Sequence, residues 1–219
     1  LKSHGTPDKW STYLAYELTP AKEKSAKKDA KDDKKKPAPK KDNKALIVMN
    51  VKTAQTDTIK NVTSYKFNED GSLLAYVFEP EKKDSLAKPG LYLYNPTNGE
   101  KKVVLEGEKG SKFKTPSFSE VGTMAFYANT DTAKAAKKNI DIYFHDIKAG
   151  EVKKAAYNQM AGLQEGWIVS ENGQLSFSKD GKRLFFGTAP KPLEKDTTLA
   201  EFEQPQLDIW TWNEDYLQT

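Results

Sequence analysis

Apolar residues along this chain come in short blocks separated by Gly, Pro, Asn and Asp. Blocks of that length, rich in Leu, Val, Ile, Tyr and Phe and bounded by turn formers, predict strands rather than helices. One block-and-break pattern recurs. Phe67-Asn68-Glu69-Asp70-Gly71-Ser72-Leu73-Leu74-Ala75-Tyr76 returns as Phe177-Ser178-Lys179-Asp180-Gly181-Lys182-Arg183-Leu184-Phe185-Phe186. A shorter copy, Phe118-Ser119-Glu120-Val121-Gly122-Thr123-Met124-Ala125-Phe126, lies between them, and a remnant stands at Leu14-Ala15-Tyr16. The apolar triplets start at Leu14, Leu74, Met124 and Leu184, so the spacing is 60, 50 and 60 residues. A period near 50, made of strands and tight turns, points to an array of small sheets.

Each copy reads strand, turn, strand, because Asp-Gly between apolar runs favours a hairpin: Gly takes a positive φ without a Cβ clash. The residues after the turn hardly alternate, and a strand apolar on both faces must be covered on both. A second element follows. Gly90-Leu91-Tyr92-Leu93-Tyr94-Asn95 and Ile140-Asp141-Ile142-Tyr143-Phe144-His145-Asp146 each lead into a Gly-Glu turn and a last strand, and Leu46-Ile47-Val48-Met49-Asn50 leads into a similar turn. Two hairpins per unit make four strands, which predicts an all-β chain: a partial β-propeller of about four blades, each a four-stranded antiparallel sheet. The units are a first that reaches Ile59 without a clear first strand, a second over 63–105, a third over 114–157 and a fourth over 174–212 that stops before its last strand. The expectation is one domain over 1–219 that forms part of a ring; a twisted β domain without closure is the competing architecture. Sheet faces and edges left open would make the isolated chain self-associate.

With 219 residues the chain is long enough to bury a sizeable core as one β domain. No apolar run is long enough to span a membrane as a helix. The chain has no Cys, which excludes disulfides, thiolate metal sites and cysteine nucleophiles. The net charge of +4 is unevenly spread: residues 21–44 hold 11 Lys against 5 acids, which leaves the rest of the chain at −2. That segment has no aromatic or branched apolar residue and cannot offset its ordering entropy by burial, so it is read as a disordered Lys-rich insertion within the first blade. A basic arm for nucleic acid is the other reading of it. The interspersed acids, the lack of stacking aromatics and the presence of a single Arg, Arg183, argue against nucleic acid as a partner.

Catalytic patterns are missing. There is no Gly-x-Ser-x-Gly elbow, no His-Glu-x-x-His, no phosphate-binding glycine loop and no calcium loop. Of the two histidines, His4 lies in the polar start and His145 ends an apolar strand, which suits a structural role. No cofactor, metal or catalytic residue is expected. Two stretches depart from the repeat. Residues 160–173 combine Trp167 with Glu165 and Glu171 between glycines. A carboxylate beside an aromatic can hold a cationic group or a peptide amine, which makes Glu165, Trp167 and Glu171 the candidate binding residues. Trp167 fits equally as a plug between blades. Residues 189–205 read as a surface loop.

These residues resemble a known family. Phe-Ser-Lys-Asp-Gly-Lys-Arg-Leu-Phe-Phe at 177–186 is similar to the repeat of TolB-type propellers and of the propellers of S9 serine peptidases, the relatives of prolyl oligopeptidase and dipeptidyl peptidase IV. Gly166-Trp167-Ile168-Val169-Ser170-Glu171, Phe185-Phe186-Gly187-Thr188-Ala189-Pro190 and Asp208-Ile209-Trp210-Thr211-Trp212-Asn213-Glu214-Asp215-Tyr216-Leu217-Gln218 resemble the N-terminal part of S9-like peptidases of Bacteroidetes type. The resemblance implies a secreted or periplasmic peptidase in which a propeller precedes a C-terminal α/β-hydrolase domain, gates it and positions peptide substrates. No triad motif matches any position, so the chain alone is expected to be non-catalytic, with that hydrolase domain as its partner. A stand-alone TolB-like module that docks a protein or glycan is the alternative.

Overall fold

The computed structural model describes residues 4–7, 12–18, 44–81, 84, 86–114, 116–129 and 139–192. The segment 21–43 and the stretch 193–219, including the tail motif at 208–218, lie outside the described residues. The chain divides into two compact units, Leu1–Ala189 and Pro190–Thr219. Of the second, only Pro190, Lys191 and Pro192 are described.

The described residues form β-strands and turns, with no helix. The first sheet comprises β1 (His4–Gly5), β2 (Tyr13–Leu18), β3 (Lys44–Asn50) and the first half of β4 (Thr56–Phe67). The second comprises the second half of β4, then β5 (Leu74–Phe78), β6 (Gly90–Asn95) and β7 (Glu100–Glu106). Neighbouring strands are antiparallel throughout. Thus the last strand of one unit and the first strand of the next are a single strand. Asn61 marks the joint with a left-handed φ of 62°, a conformation that Asn tolerates better than most side chains, and its carbonyl accepts the Glu79 N–H at 2.9 Å. The first unit does have an inner strand, reduced to the two residues of β1, where Gly5 pairs with Ala15.

The third sheet has a broken inner strand, β8 (Lys112–Phe113) and β9 (Ser117–Phe118), followed by β10 (Thr123–Asn129), β11 (Asp141–Asp146) and β12 (Glu151–Ala156). The fourth repeats the break: β13 (Trp167–Ser170) pairs with β16 (Gly187–Pro190), and β14 (Ser176–Phe177) pairs with β15 (Leu184–Phe185). This corrects two expectations. The fourth unit starts at Trp167 rather than at 174, so part of the segment read as foreign to the repeat is its inner strand. Ala189 and Pro190 close β16 rather than opening a loop; the remainder of that stretch, from 193, lies outside the described residues.

Three apolar cores lie between successive sheets, and single strands serve two of them. Leu74 and Tyr76 of β5 join Ala15, Leu46, Val48 and Ile59 in the core against the first sheet. Ala75 and Val77, the alternate residues, join Leu91, Leu93, Met124 and Phe126 in the core against the third. β10 does the same one sheet on: Met124, Phe126 and Ala128 face back, while Ala125 and Tyr127 face forward to Val169, Leu175 and Leu184. The two-sided apolar run of the repeat is therefore a strand sandwiched between neighbouring sheets. Small residues at Ala15, Ala75 and Ala125, all fully buried, let the sheets approach. Face-to-face stacking of four-stranded sheets in chain order is the architecture of a β-propeller sector. Among the described residues no core joins the fourth sheet to the first.

The repeated turn explains the repeated sequence. In the second sheet Asn68 Oδ1 accepts the Leu73 N–H at 2.9 Å, and Asp70 Oδ1 accepts the Ser72 N–H and Oγ–H at 2.9 and 2.7 Å. In the fourth, Ser178 Oγ accepts the Arg183 N–H at 3.0 Å and donates to Asp180 at 2.6 Å. The third copy is one residue shorter and lacks the Asp; Ser119 Oγ takes the Thr123 N–H directly at 3.0 Å. These hydrogen bonds hold both Asp carboxyls below their ordinary pKa.

Candidate functional site

The inner strands of the second, third and fourth sheets converge on a cleft of about 530 Å³. β4 contributes Thr63, Ser64 and Lys66; the third sheet contributes Phe113, Lys114, Pro116, Ser117 and Tyr127; the fourth contributes Glu171, Gly173, Gln174 and Leu175. Several of its lining residues fall where β8 gives way to β9 and β13 to β14.

The wall between the third and fourth sheets is cross-tied. Lys114 is anchored by its own N–H to the Tyr127 carbonyl at 3.0 Å. Its Nζ reaches across to Glu171, 3.0 Å from Oε2 and 3.0 Å from the backbone carbonyl. The buried Tyr127 hydroxyl donates to the Gly173 carbonyl at 3.1 Å, and burial raises its pKa. Gly173 and Gly187 pack backbone to backbone, so a Cβ added to Gly173 would collide with the Gly187 Cα. That close approach is a physical reason for glycine at both positions.

The three candidate residues fall in different places. Glu171 lines the cleft and is already engaged by Lys114. Trp167 opens β13, half-buried, with its N–H donated to the Gln164 carbonyl at 3.0 Å. Glu165 is exposed in the turn just before it. Glu165 and Trp167 do not line the cleft. Lys66 and Lys114 do, and the sequence did signal Lys66: it occupies the position before the repeat's Phe, where the third and fourth copies carry Ser117 and Ser176.

A second cleft of about 460 Å³ lies between the outer turns of the first two sheets, lined by Tyr13, Asn50, Asp57, Tyr94 and Thr97 among others. Its carboxylate is committed: Asp57 accepts the Tyr94 hydroxyl at 2.7 Å and the Thr58 N–H at 2.8 Å. Burial, and then that hydrogen bond, raise the Tyr94 pKa; burial and the Asp57 charge push Tyr76 up to about 12. His145 sits at 1% exposure between the second and third sheets. Its Nδ1–H donates to the Glu151 carbonyl at 3.0 Å, which leaves Nε2 as an acceptor without a partner among the described residues. Burial lowers its pKa, and the Lys102 charge adds to that. Among the described residues no group of three or more His, Asp or Glu is placed to hold a metal ion, and no helix is long and apolar enough to cross a membrane.

No family model matches the chain, and no curated protein matches it. Among solved structures it is similar to the beta-propeller domain of the Trilobed protease from Pyrococcus furiosus, at 16% identity and TM-score 0.48 over 78% of this chain and 48% of that one. It is similar to the acylaminoacyl peptidase of Pyrococcus horikoshii, at 12% identity and TM-score 0.44 over 76% of this chain and 27% of that one. A prolyl endopeptidase structure aligns at 13% identity and TM-score 0.47 over 87% of this chain and 28% of that one. The chain thus spans about half the length of the first of these structures and about a quarter of the other two.

Proposed function

We propose that this chain is the non-catalytic propeller portion of a secreted or periplasmic S9-type serine peptidase, where it admits and positions peptide for a hydrolase domain elsewhere in the polypeptide. The cleft where the inner strands of three successive sheets converge is the observation that carries this reading. Its lining combines apolar side chains (Phe113, Pro116, Leu175) with hydroxyl, amide and charged groups, a mixture suited to peptide recognition. The sequence resemblance at 177–186 and at 166–171 supports the peptidase context. Gating on this reading is the opening of the wall that Lys114 and Glu171 tie shut.

Fluorophosphonate labelling of the native gene product, read by intact mass, tests it. A labelled protein much longer than 219 residues is the expected result, with no label on the chain described here. A native product that takes no label overturns the peptidase reading.

A further inference from the structure

We propose that the inner-strand cleft binds the carboxylate of its peptide ligand through Lys66; this rests on the peptide-binding reading and specifies the ligand. Charge within the cleft is the starting point. Among the described residues it is lined by three charged side chains, Lys66, Lys114 and Glu171. Lys114 and Glu171 neutralise each other, with Nζ held by both the carboxylate and the backbone carbonyl of Glu171. Lys66 is exposed and forms no ion pair among the described residues. Among the described residues the uncompensated charge of the cleft is therefore a single ammonium.

The repeat shows that this ammonium is a local departure. Lys66, Ser117 and Ser176 are equivalent positions, each paired to the middle strand just before the Phe of the repeat: Lys66 to Ala75, Ser117 to Ala125 and Ser176 to Phe185. Stacking of the second sheet needs no lysine there, because the equivalent serines serve in the third and fourth. Ser64, two residues earlier on the same strand, shares the cleft with Lys66, and Ser117 faces it from the third sheet. An ammonium flanked by hydroxyl donors recognises a carboxylate, while Phe113 and Leu175 offer contact to an adjoining apolar side chain. The carboxylate can be the C-terminus of a peptide or the side chain of an Asp or Glu within it.

Three peptides titrated calorimetrically against the whole chain separate these cases: acetyl-Phe-Ala-Ala with a free C-terminus, its C-terminal amide, and the amide of acetyl-Phe-Asp-Ala. The expected result is at least tenfold tighter binding of a carboxylate-bearing peptide than of the neutral amide, falling as salt is raised. The free acid binding better identifies the C-terminus as the source; the Asp peptide binding better identifies a side chain. Lys66→Gln, an exposed substitution, is expected to abolish the preference without shifting thermal unfolding. Equal binding of all three peptides, or a preference that survives Lys66→Gln, overturns the carboxylate assignment and leaves the peptide-binding reading standing. Binding of none of them overturns both.

Discussion

The two buried joints that flank the second sheet use the same repeat position in opposite ways. Between the first and second sheets, Tyr94 turns its hydroxyl to Asp57 at 2.7 Å. Between the second and third, the equivalent of Tyr94 is His145, and the equivalent of Asp57 is Lys102. A donor facing an acceptor in one joint is thus replaced by an imidazole facing a cation in the other. Burial, and then the Lys102 charge, favour the neutral ring. The joints differ in backbone too, since β4 runs through the first and no strand runs through the second. The repeat fixes where a polar aromatic stands; Asp57 opposite Tyr94 ties the first two sheets together, whereas burial, with Lys102 adding to it, keeps His145 from taking up a proton.

Emptying the second joint is the most damaging test. Phe126 is fully buried and stacks on Tyr143 with ring centroids 5.7 Å apart. Phe126→Ala is expected to cost about 3–5 kcal/mol, read by urea unfolding. Acid comes next. Because the folded-state pKa of His145 is depressed, the unfolded chain binds the extra proton once pH falls below the ordinary histidine value of about 6.5. Stability is then lost as pH falls further, by up to about 1.4 kcal/mol per pH unit until the folded ring is protonated. His145→Phe should remove that component, seen as the difference between the two proteins' unfolding profiles from pH 7 to 5.

Lys102→Asp sharpens the comparison by giving the second joint the acid of the first. The His145 pKa should move upward and the acid-side loss should shrink, which a proton NMR titration of the ring would follow. An unmoved pKa would mean that Lys102 does not bear on the ring. In the first joint, Tyr94→Phe removes a hydrogen bond to a carboxylate and should cost about 1.5–3 kcal/mol by the same unfolding assay.

The smallest effect concerns a turn the sheets share. Gly99 and Gly150 hold φ of 74° and 72° and donate their N–H to Asn95 and Asp146, but the first sheet has Ala54 there, at 57°, donating to Asn50 at 2.8 Å. A left-handed Ala is strained, so Ala54→Gly should stabilise by about 1 kcal/mol, visible as a higher Tm.

Much of this architecture was legible in the sequence because stacking imposes a local rule. The triplets at Leu74 and Met124 had to be apolar on both faces, and the Asp-Gly turns had to close beside them, so the periodic signal was strong. The exceptions were places where the rule weakens. His4 and Gly5 make a strand too short to show a pattern. β13 carries little signal in the sequence because the inner strand of the fourth sheet is broken, and Gly173 between its halves has the look of loop punctuation although it packs on Gly187. The cleft was the least legible feature. Glu165, Trp167 and Glu171 are close in sequence, whereas the residues that converge on the cleft come from strands as far apart as Lys66 and Glu171. Only the departure of Lys66 from serine hinted at it.

The most direct test of the account is amide hydrogen exchange of the whole chain with and without acetyl-Phe-Ala-Ala. Slowed exchange confined to residues 63–66, 113–117 and 171–175 is the predicted result. Protection centred instead on the outer turns at 50–57 and 94–99, or no change anywhere, would contradict a peptide site on the inner strands.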